Sequence, residues 1–379
     1  MSRIAFLTES TPQDQNYISQ TTYELIRSLK SNQHTVQVFA PFHSTDQFNY
    51  DEPFEMSFPT KGWKLWELPF LIPALHKFRP DILHVIQPHQ DRFQSFFHLF
   101  KILPTLKPLM NNIPIVVSLF NWDSRKLSTQ NYATLLNLAD LILVPNLVIK
   151  NEVSSYLDNI QRHHIEVVPP SLSTFQSESA KMEASWVSDI VDPYFIFAES
   201  IDYHGDRFDL FLAALQKVTK GPFHRKFIFY DGWGELGPYQ RKKWQLKISN
   251  LGLQEDVIIP SDLSPEQKRQ LEFNAEGLIA LGLPAHGLRF THLLYASLVY
   301  QTPMIMSETQ ASLQGTHWSK MPHCLFVNDI QRDLPTQLAK WQTNQRFKSD
   351  IVTSLQEFVQ PTYDASANLV SRLYAELLN

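Results

Sequence analysis

The sequence predicts an α/β protein with two domains, each built around a doubly wound parallel sheet. Three observations support this prediction: apolar runs of strand length alternate with stretches of helical period, the runs fall into two series, and a polar segment separates the series. Strands that helices cover on both faces are apolar throughout, which explains why the runs are continuous rather than alternating. The chain has 379 residues, 43% of them hydrophobic, and can therefore fill two cores.

The first predicted domain covers residues 1–178. Its strands are the runs RIAFL, TVQVFA, DILHVI, IPIVVSLF, DLILV and IEVVP. Helical patterns such as YISQTTYELIRSLKS, residues 17–31, separate these runs. The segment that follows, STFQSESAKMEASWVSD, is rich in Ser and Glu and poor in large aliphatic residues. We therefore place the domain boundary within it, at residue 178.

The second predicted domain covers residues 179–360. Its strands are the runs YFIFA, KFIFY, DVIIP, GLIAL, PMIMS and CLFV. The last segment, 361–379, has leucines four residues apart at Leu369, Leu373 and Leu377, and Pro361 and Asp364 stand where a helix would begin. This spacing predicts an amphipathic helix that packs on one of the domains.

The composition excludes several classes of function. The formal net charge of −5 provides no basic excess to neutralise a phosphate backbone, which argues against nucleic acid as a partner. The start, MSRIAFLTES, is neither a secretory signal nor a spanning helix, so we expect a cytoplasmic protein without a transmembrane segment. A single cysteine, Cys324, excludes an internal disulfide and a multi-cysteine zinc site, and its apolar neighbours predict a buried thiol.

Aromatic and basic residues cluster around residue 64. Trp63 and Trp66 flank Lys64, and FLIPALHKF follows. Because aromatic and basic residues suit the surface of a bilayer, peripheral membrane contact is one interpretation. Core packing of a short helix is the other.

Two motifs that suggest other activities have simpler explanations. Residues 232–237, GWGELG, satisfy the dinucleotide pattern G-x-G-x-x-G after KFIFY, but Pro238 stands where the helix would begin and Asp256 precedes the next strand instead of ending it. A flexible loop is the better interpretation. The acidic residues Asp206 and Asp209 have no metal-loop spacing, and they fit the first turn of a helix.

The order of motifs resembles glycosyltransferase family 4. RPDILHVIQPH, IPIVVSLFNWD, ADLILVPN and IEVVPPSLSTF follow one another as in the N-terminal domain of that family. PYFIFAES, FIFYDGWG and a final QTP continue the similarity through the second half. The resemblance covers nearly the whole chain and implies the GT-B fold, in which two Rossmann-like domains face an interdomain cleft and the last helix crosses back to the first domain.

The resemblance also implies an activity. Enzymes of this family transfer a sugar from a nucleotide-sugar donor with retention, without a metal or other cofactor, and cations near the diphosphate stabilise its growing charge. Five residues are donor-binding candidates by position: Arg207, Gly232, His286, Arg289 and His292. Asn121 and Asp123, just beyond the strand IPIVVSLF, are acceptor-side cleft candidates.

Several positions depart from the family pattern. Ser200 stands where the donor-binding Arg is expected, and Leu288 and Ala296 occupy the two Glu positions of the motif E-G-F-G-x-x-x-x-E. Phe120 replaces the His that ends the strand IPIVVSLF, and Gly62 is the sole glycine among the first 204 residues, so the family's glycine-rich loop is missing.

Two hypotheses of different classes follow. On the first, the chain is a divergent glycosyltransferase whose partners are a nucleotide-sugar and a glycan or lipid acceptor. On the second, it is a catalytically inactive GT-B pseudo-glycosyltransferase that acts as a glycan-binding subunit or binds a partner glycosyltransferase.

Overall fold

The computed structural model describes most of both halves of the chain. The described residues are 1–9, 11, 17–42, 54–87, 93–120, 136–157, 164–169, 193–198, 205–219, 225–230, 238–260, 263, 265–281, 288–300, 302–307, 324–344, 346, 349–350, 353 and 365–378. The chain forms two compact units, which are Met1–Leu172 with Asp364–Asn379, and Ser173–Tyr363. The predicted boundary at residue 178 lies outside the described residues.

The first unit contains a seven-stranded parallel sheet in the order β3-β2-β1-β4-β5-β6-β7. Its strands are β1 Arg3–Leu7, β2 Thr35–Pro41, β3 Glu55–Thr60, β4 Ile82–Ile86, β5 Ile115–Ser118, β6 Leu141–Val144 and β7 Ile165–Val167. Six of them coincide with predicted apolar runs. The exception is β3, EMSFPT, which the prediction missed because an edge strand needs no continuous apolar run and tolerates Pro59.

The second unit contains a six-stranded parallel sheet in the order β10-β9-β8-β11-β12-β13. Its strands are β8 Tyr194–Ala198, β9 Lys226–Tyr230, β10 Val257–Ile258, β11 Gly277–Ile279, β12 Met304–Met306 and β13 Cys324–Phe326. All six lie within predicted runs. Cys324 is buried as expected, and burial raises the pKa of its thiol.

Helices connect the strands of both sheets, as the alternating pattern predicts. They are α1 Tyr17–Ser31, α2 Leu68–Phe78, α3 Phe93–Leu109, α4 Leu147–Ser154, α5 Gly205–Thr219, α6 Pro238–Asn250, α7 Pro265–Asn274, α8 Leu288–Val299, α9 Ile330–Thr343 and α10 Ala365–Leu378. A 3-10 turn, Leu65–Glu67, precedes α2. Within the described ranges, no helix has the length and hydropathy needed to cross a bilayer.

Local sequence explains where several helices begin. Asn146 accepts a hydrogen bond from the amide of Ile149 at 3.0 Å and caps α4. Asp329 caps α9 in the same way. The helix predicted around Asp206 is α5, and Asp209 in its first turns forms an ion pair with Lys247 of α6 at 2.6 Å.

Gly277 lets β11 approach its neighbour β8 closely. A Cβ atom at this position would lie 2.8 Å from Cε1 and 2.9 Å from Cδ1 of Phe195. The Phe195 ring is buried, stacks on Phe227 with centroids 5.8 Å apart, and meets Trp341 edge-on. The ring therefore has no room to move away.

We expect Gly277→Ala to destabilise the second unit by about 1–3 kcal/mol, because the added methyl overpacks this contact. Urea denaturation would measure the change. Gly62→Ala is the control, since the nearest atom to its Cβ would be 4.0 Å away, and we expect a change within about 0.5 kcal/mol. Equal effects of the two substitutions would contradict the prediction.

Candidate functional site

Each sheet has one point where its strand order reverses. This point lies between β1 and β4 in the first unit and between β8 and β11 in the second. The connections that leave these two neighbouring strands run to opposite faces of the sheet. A crevice therefore opens beyond the carboxyl ends of the strands, and ligands of open α/β sheets bind in it. Each unit therefore has one edge at which functional residues are expected.

Buried polar residues follow the two central strands of the first unit. Thr8 and Glu9 come directly after β1, Gln87 comes directly after β4, and all three are at most 1% exposed. Gln87 Oε1 accepts a hydrogen bond from the amide of Phe120 at 2.7 Å. Sequence analysis named neither Glu9 nor Gln87, although polar residues immediately after buried parallel strands are a signal that could have found them.

A small recess of about 20 Å³, roughly the space of one water molecule, lies at the same edge of the first unit. Its walls are Thr21 and Leu25 of α1, Ser118 and Phe120 at the end of β5, and the ends of β6 and β7. Most of this lining is apolar. Phe120, where the family pattern has His, therefore contributes ring surface to the recess and no acid or base.

A buried histidine connects the recess to the last helix of the chain. His84 of β4 is fully buried, its Nε2 is 2.7 Å from Ser118 Oγ, and its Nδ1 is 2.6 Å from the hydroxyl of Tyr374 in α10. Burial lowers the pKa of His84 to about 3 and raises that of Tyr374 well above its ordinary value. The ring is therefore neutral, and it donates to one hydroxyl and accepts from the other.

Further polar contacts fix α10 on the first unit. Asn32 Nδ2 donates to Asn368 Oδ1 at 3.0 Å, and His34 Nε2 lies 3.0 Å from Ser371 Oγ. The ring of Tyr374 meets those of His34 and His84 edge-on. Directional polar contacts therefore fix the position of the last helix on the first unit.

Two arginines mark the corresponding edge of the second unit. Arg207 is the third residue of α5, which follows β8, and Arg289 is the second residue of α8, which follows β11. Because β8 and β11 are paired in parallel, both helices begin at the same edge of the sheet, the edge of the switch point. The backbone therefore places Arg207 and Arg289 on one edge.

A buried phenylalanine follows each of these arginines and fixes its backbone. Phe208 is 1% exposed, and the centroid of its ring lies 4.5 Å from that of Phe229 and 3.5 Å from that of Trp244. Phe290 is fully buried in the core of the second unit. Among the other candidates, His292 lies one turn further along α8. The remaining candidates lie outside the described residues: Gly232, His286, Asn121 and Asp123.

Comparison with known proteins agrees with this architecture. Residues 18–174 match the sequence model of Glycosyltransferase Family 4. HepE from Anabaena, solved in complex with UDP-glucose, is 12% identical, with a TM-score of 0.70 over 100% of this chain and 99% of that chain. Sucrose-phosphate synthase from Thermosynechococcus elongatus is 13% identical, with a TM-score of 0.66 and the same coverage.

The chain has the GT-B fold, and its residues 18–174 match glycosyltransferase family 4. UDP-GlcNAc 2-epimerase from Neisseria meningitidis, bound to UDP-GlcNAc, is also similar, at 13% identity, 99% coverage of both chains and a TM-score of 0.62. No curated protein sequence matches the chain. Since a synthase and an epimerase share this fold, the fold alone does not determine the reaction.

One position of the expected donor site lies in the interior of the second unit. Ala296, at the position of the family's second Glu, is fully buried in α8 between Leu293 and Tyr300, which are also buried. A methyl group without exposed surface cannot accept hydrogen bonds from ribose hydroxyls. Ala296 therefore provides no ribose contact.

We expect Tyr374→Phe to destabilise the first unit by about 1–3 kcal/mol, because the substitution leaves the buried Nδ1 of His84 without its partner. Thermal unfolding followed by circular dichroism would measure it. Arg372→Ala, on the exposed side of the same helix, is the control and should change stability by less than about 0.5 kcal/mol. If the two variants unfold alike, the hydroxyl does not hold α10.

His84 also predicts a pH dependence. Below its ordinary pKa of 6.5 the unfolded chain binds a proton here, whereas the folded chain does not until the pH approaches about 3. Between these values acid therefore favours unfolding, and His84 contributes a slope of about 1.4 kcal/mol per pH unit. Above pH 6.5 the contribution to the slope vanishes.

Chemical denaturation of the wild type and His84→Gln from about pH 5 to pH 8 would test this slope. The variant should be less stable at neutral pH but should lose less stability on acidification. His34 contributes to the pH dependence of stability that remains in the variant, because its pKa is also lowered, mainly by burial. Parallel curves for the two proteins would show that His84 titrates normally in the folded chain.

Proposed function

We propose that this protein transfers a sugar from a nucleotide-sugar donor, and that its second unit holds the donor diphosphate through Arg207 and Arg289. The observation that carries the proposal is the pair of helix starts, α5 and α8, at the switch point of one sheet. Each helix start presents the positive end of the helix dipole, which favours anions, and each has an arginine in its first turn. Together they form a cationic edge of the kind that binds phosphate.

Arginine suits the chemistry of the leaving group. When the bond between the anomeric carbon and the diphosphate oxygen breaks, negative charge grows on the diphosphate, and the acceptor hydroxyl oxygen forms the new bond and gives up its proton. A guanidinium binds phosphate oxygens with two parallel hydrogen bonds and stays charged, so it stabilises that growing charge. Arg207 and Arg289 would replace the Arg and Lys that the family places after the first strand of its second domain. The proposed reaction uses no metal.

The first unit would bind the acceptor. Thr8, Glu9 and Gln87 follow the two strands at the switch point of its sheet, the edge at which open α/β sheets bind their ligands. The acceptor would be a glycan or a lipid.

A second candidate function is supported by Ala296. Because Ala296, which aligns with the family's second carboxylate, is buried, this position would offer no ribose contact. A non-catalytic subunit that binds a glycan or a partner glycosyltransferase would tolerate this loss, whereas an enzyme must compensate for it.

A thermal-shift titration with UDP, GDP, ADP and their sugar conjugates tests the donor site. One nucleotide at about a hundred times its Kd should add roughly 2.7 kcal/mol of stability. Arg207→Ala and Arg289→Ala should each weaken binding by about 10- to 100-fold, since a hydrogen bond to a charged group contributes about 1.5–3 kcal/mol. The control is Arg332→Ala, in the first turn of α9 of the same unit, whose side chain is 76% exposed and pairs with Asp333.

The outcomes separate the two candidates. A shift that disappears in both test variants and persists in Arg332→Ala supports the donor site, and release of nucleoside diphosphate from the sugar conjugate then shows turnover. A shift without any turnover or hydrolysis favours the binding subunit. No shift with any nucleotide contradicts the donor site itself.

A further inference from the structure

The segment between β3 and α2 exposes large apolar side chains. Trp63 is fully buried, whereas Trp66, three residues later, is 71% exposed. Leu65 and Phe70 beside it are 58% and 66% exposed. Burial therefore separates the two tryptophans: the first anchors the segment to the core, and the second belongs to the surface.

These residues form one continuous apolar surface. The aromatic ridge consists of Leu65, Trp66, Pro69, Phe70 and Pro73, all of them exposed. Their spacing of three to four residues places them on one side of the 3-10 turn and α2. An exposed helix face is normally polar, so an outward-facing apolar ridge indicates a binding surface.

The opposite face of α2 holds the ridge rigidly in place. Leu68, Leu71, Leu75 and Phe78 are buried, and all four belong to the core of the first unit. The ridge is therefore a fixed feature of the folded unit and is not needed for its packing. Substitutions in it should leave the fold intact.

Exposed cations surround the ridge. Lys61, Lys64, Lys77 and Arg79 are exposed, and Lys64 Nζ lies 5.1 Å from the centroid of the Trp66 ring. In the sequence from residue 61 to residue 79 these are four basic residues against one acidic residue. This local excess contrasts with the net charge of −5 for the whole chain.

The one acidic residue of the segment faces inward. Glu67 is 8% exposed, and its carboxylate accepts hydrogen bonds from the amides of Lys61, Gly62 and Lys64 at 2.8, 3.2 and 2.9 Å. The backbone donors stabilise its charge, and the carboxylate is turned away from the surface. The outward surface therefore presents apolar groups and positive charge together.

We propose that the aromatic ridge docks the first unit on a membrane surface that contains anionic lipids. Tryptophan and phenylalanine partition into the boundary between headgroups and acyl chains, and lysines beside them pair with lipid phosphates. The centres of protein interfaces are depleted in lysine, so the mixture of exposed Trp, Phe and Lys favours a lipid surface over a protein partner. The contact is peripheral, since the ridge is a few side chains deep.

The ridge lies at the same edge of the sheet as the proposed acceptor residues. The 3-10 turn begins shortly after the carboxyl end of β3, and Thr8, Glu9 and Gln87 follow the carboxyl ends of β1 and β4 in the same parallel sheet. Docking would bring this edge close to the bilayer. If the protein is a transferase, as proposed above, this placement favours an acceptor carried on a lipid, and only this last step rests on the proposed function.

Vesicle sedimentation tests the docking directly and needs neither nucleotide nor activity. The full chain is mixed with vesicles of phosphatidylcholine, with or without phosphatidylglycerol. We expect binding to the anionic vesicles that weakens with salt. The double variant Trp66→Ser/Phe70→Ser should bind at least about tenfold more weakly, and each of Lys61→Ala and Lys64→Ala about fivefold more weakly.

A matched control tests whether the loss of any exposed apolar side chain weakens vesicle binding. Leu246→Ser removes a side chain that is 57% exposed on the basic helix α6 of the second unit, and vesicle binding should not change. The emission of Trp66, obtained as the difference between the wild type and Trp66→Phe, should shift to shorter wavelength when anionic vesicles are added. Unchanged melting temperatures would show that the variants remain folded.

Three results would overturn the proposal. The first is wild-type protein that stays in the supernatant with anionic vesicles. The second is a double variant that binds as well as the wild type. The third is self-association, or association with another protein, that depends on Trp66 and Phe70 in the absence of vesicle binding, which would identify the ridge as a protein interface. Because the nucleotide titration uses no lipid, failure of either experiment leaves the other interpretable.

Discussion

The neutral imidazole of His84 holds three elements of the first unit together. It lies in the central strand β4, and its two nitrogens reach Ser118 of β5 and Tyr374 of α10. A buried polar group without a hydrogen-bond partner destabilises the fold by more than one hydrogen bond stabilises it. The native fold therefore requires His84, Ser118 and Tyr374 to be placed together. The recess wall at Ser118 and the position of the last helix therefore depend on one hydrogen-bonded chain.

This constraint explains why the C-terminal helix belongs to the first unit although the whole second unit precedes it in sequence. Apolar contacts such as Val370 against the core provide the area, while Asn368, Ser371 and Tyr374 determine the register of the helix by pairing with fixed polar partners. Hydrophobic packing alone would also allow the helix to pack one turn further along its axis. The side-chain hydrogen bonds form in one position only, because their geometry is directional. Directional hydrogen bonds thus determine where the C-terminal helix packs on the first unit.

The two edges of the protein differ in their chemistry. The edge of the second unit combines helix starts with arginines whose backbones are fixed by Phe208 and Phe290, and it suits an anion. The edge of the first unit combines buried polar groups with an apolar recess, and the aromatic ridge begins at the same edge. The proposed division between a unit that holds the donor diphosphate and a unit that takes the acceptor fits these differences.

The sequence by itself determined both parallel sheets, the buried thiol of Cys324 and the resemblance to glycosyltransferase family 4, because continuous apolar runs and ordered motifs are local properties of the chain. It missed β3, whose edge position removes the need for an apolar run. Only the tertiary structure showed that Trp63 is buried while Trp66 is exposed, because burial depends on which side of the segment before α2 meets the core. The partners of His84 lie 34 and 290 residues away along the chain. No local pattern joins such residues, and the folded chain alone brings Ser118 and Tyr374 to the two nitrogens of one ring.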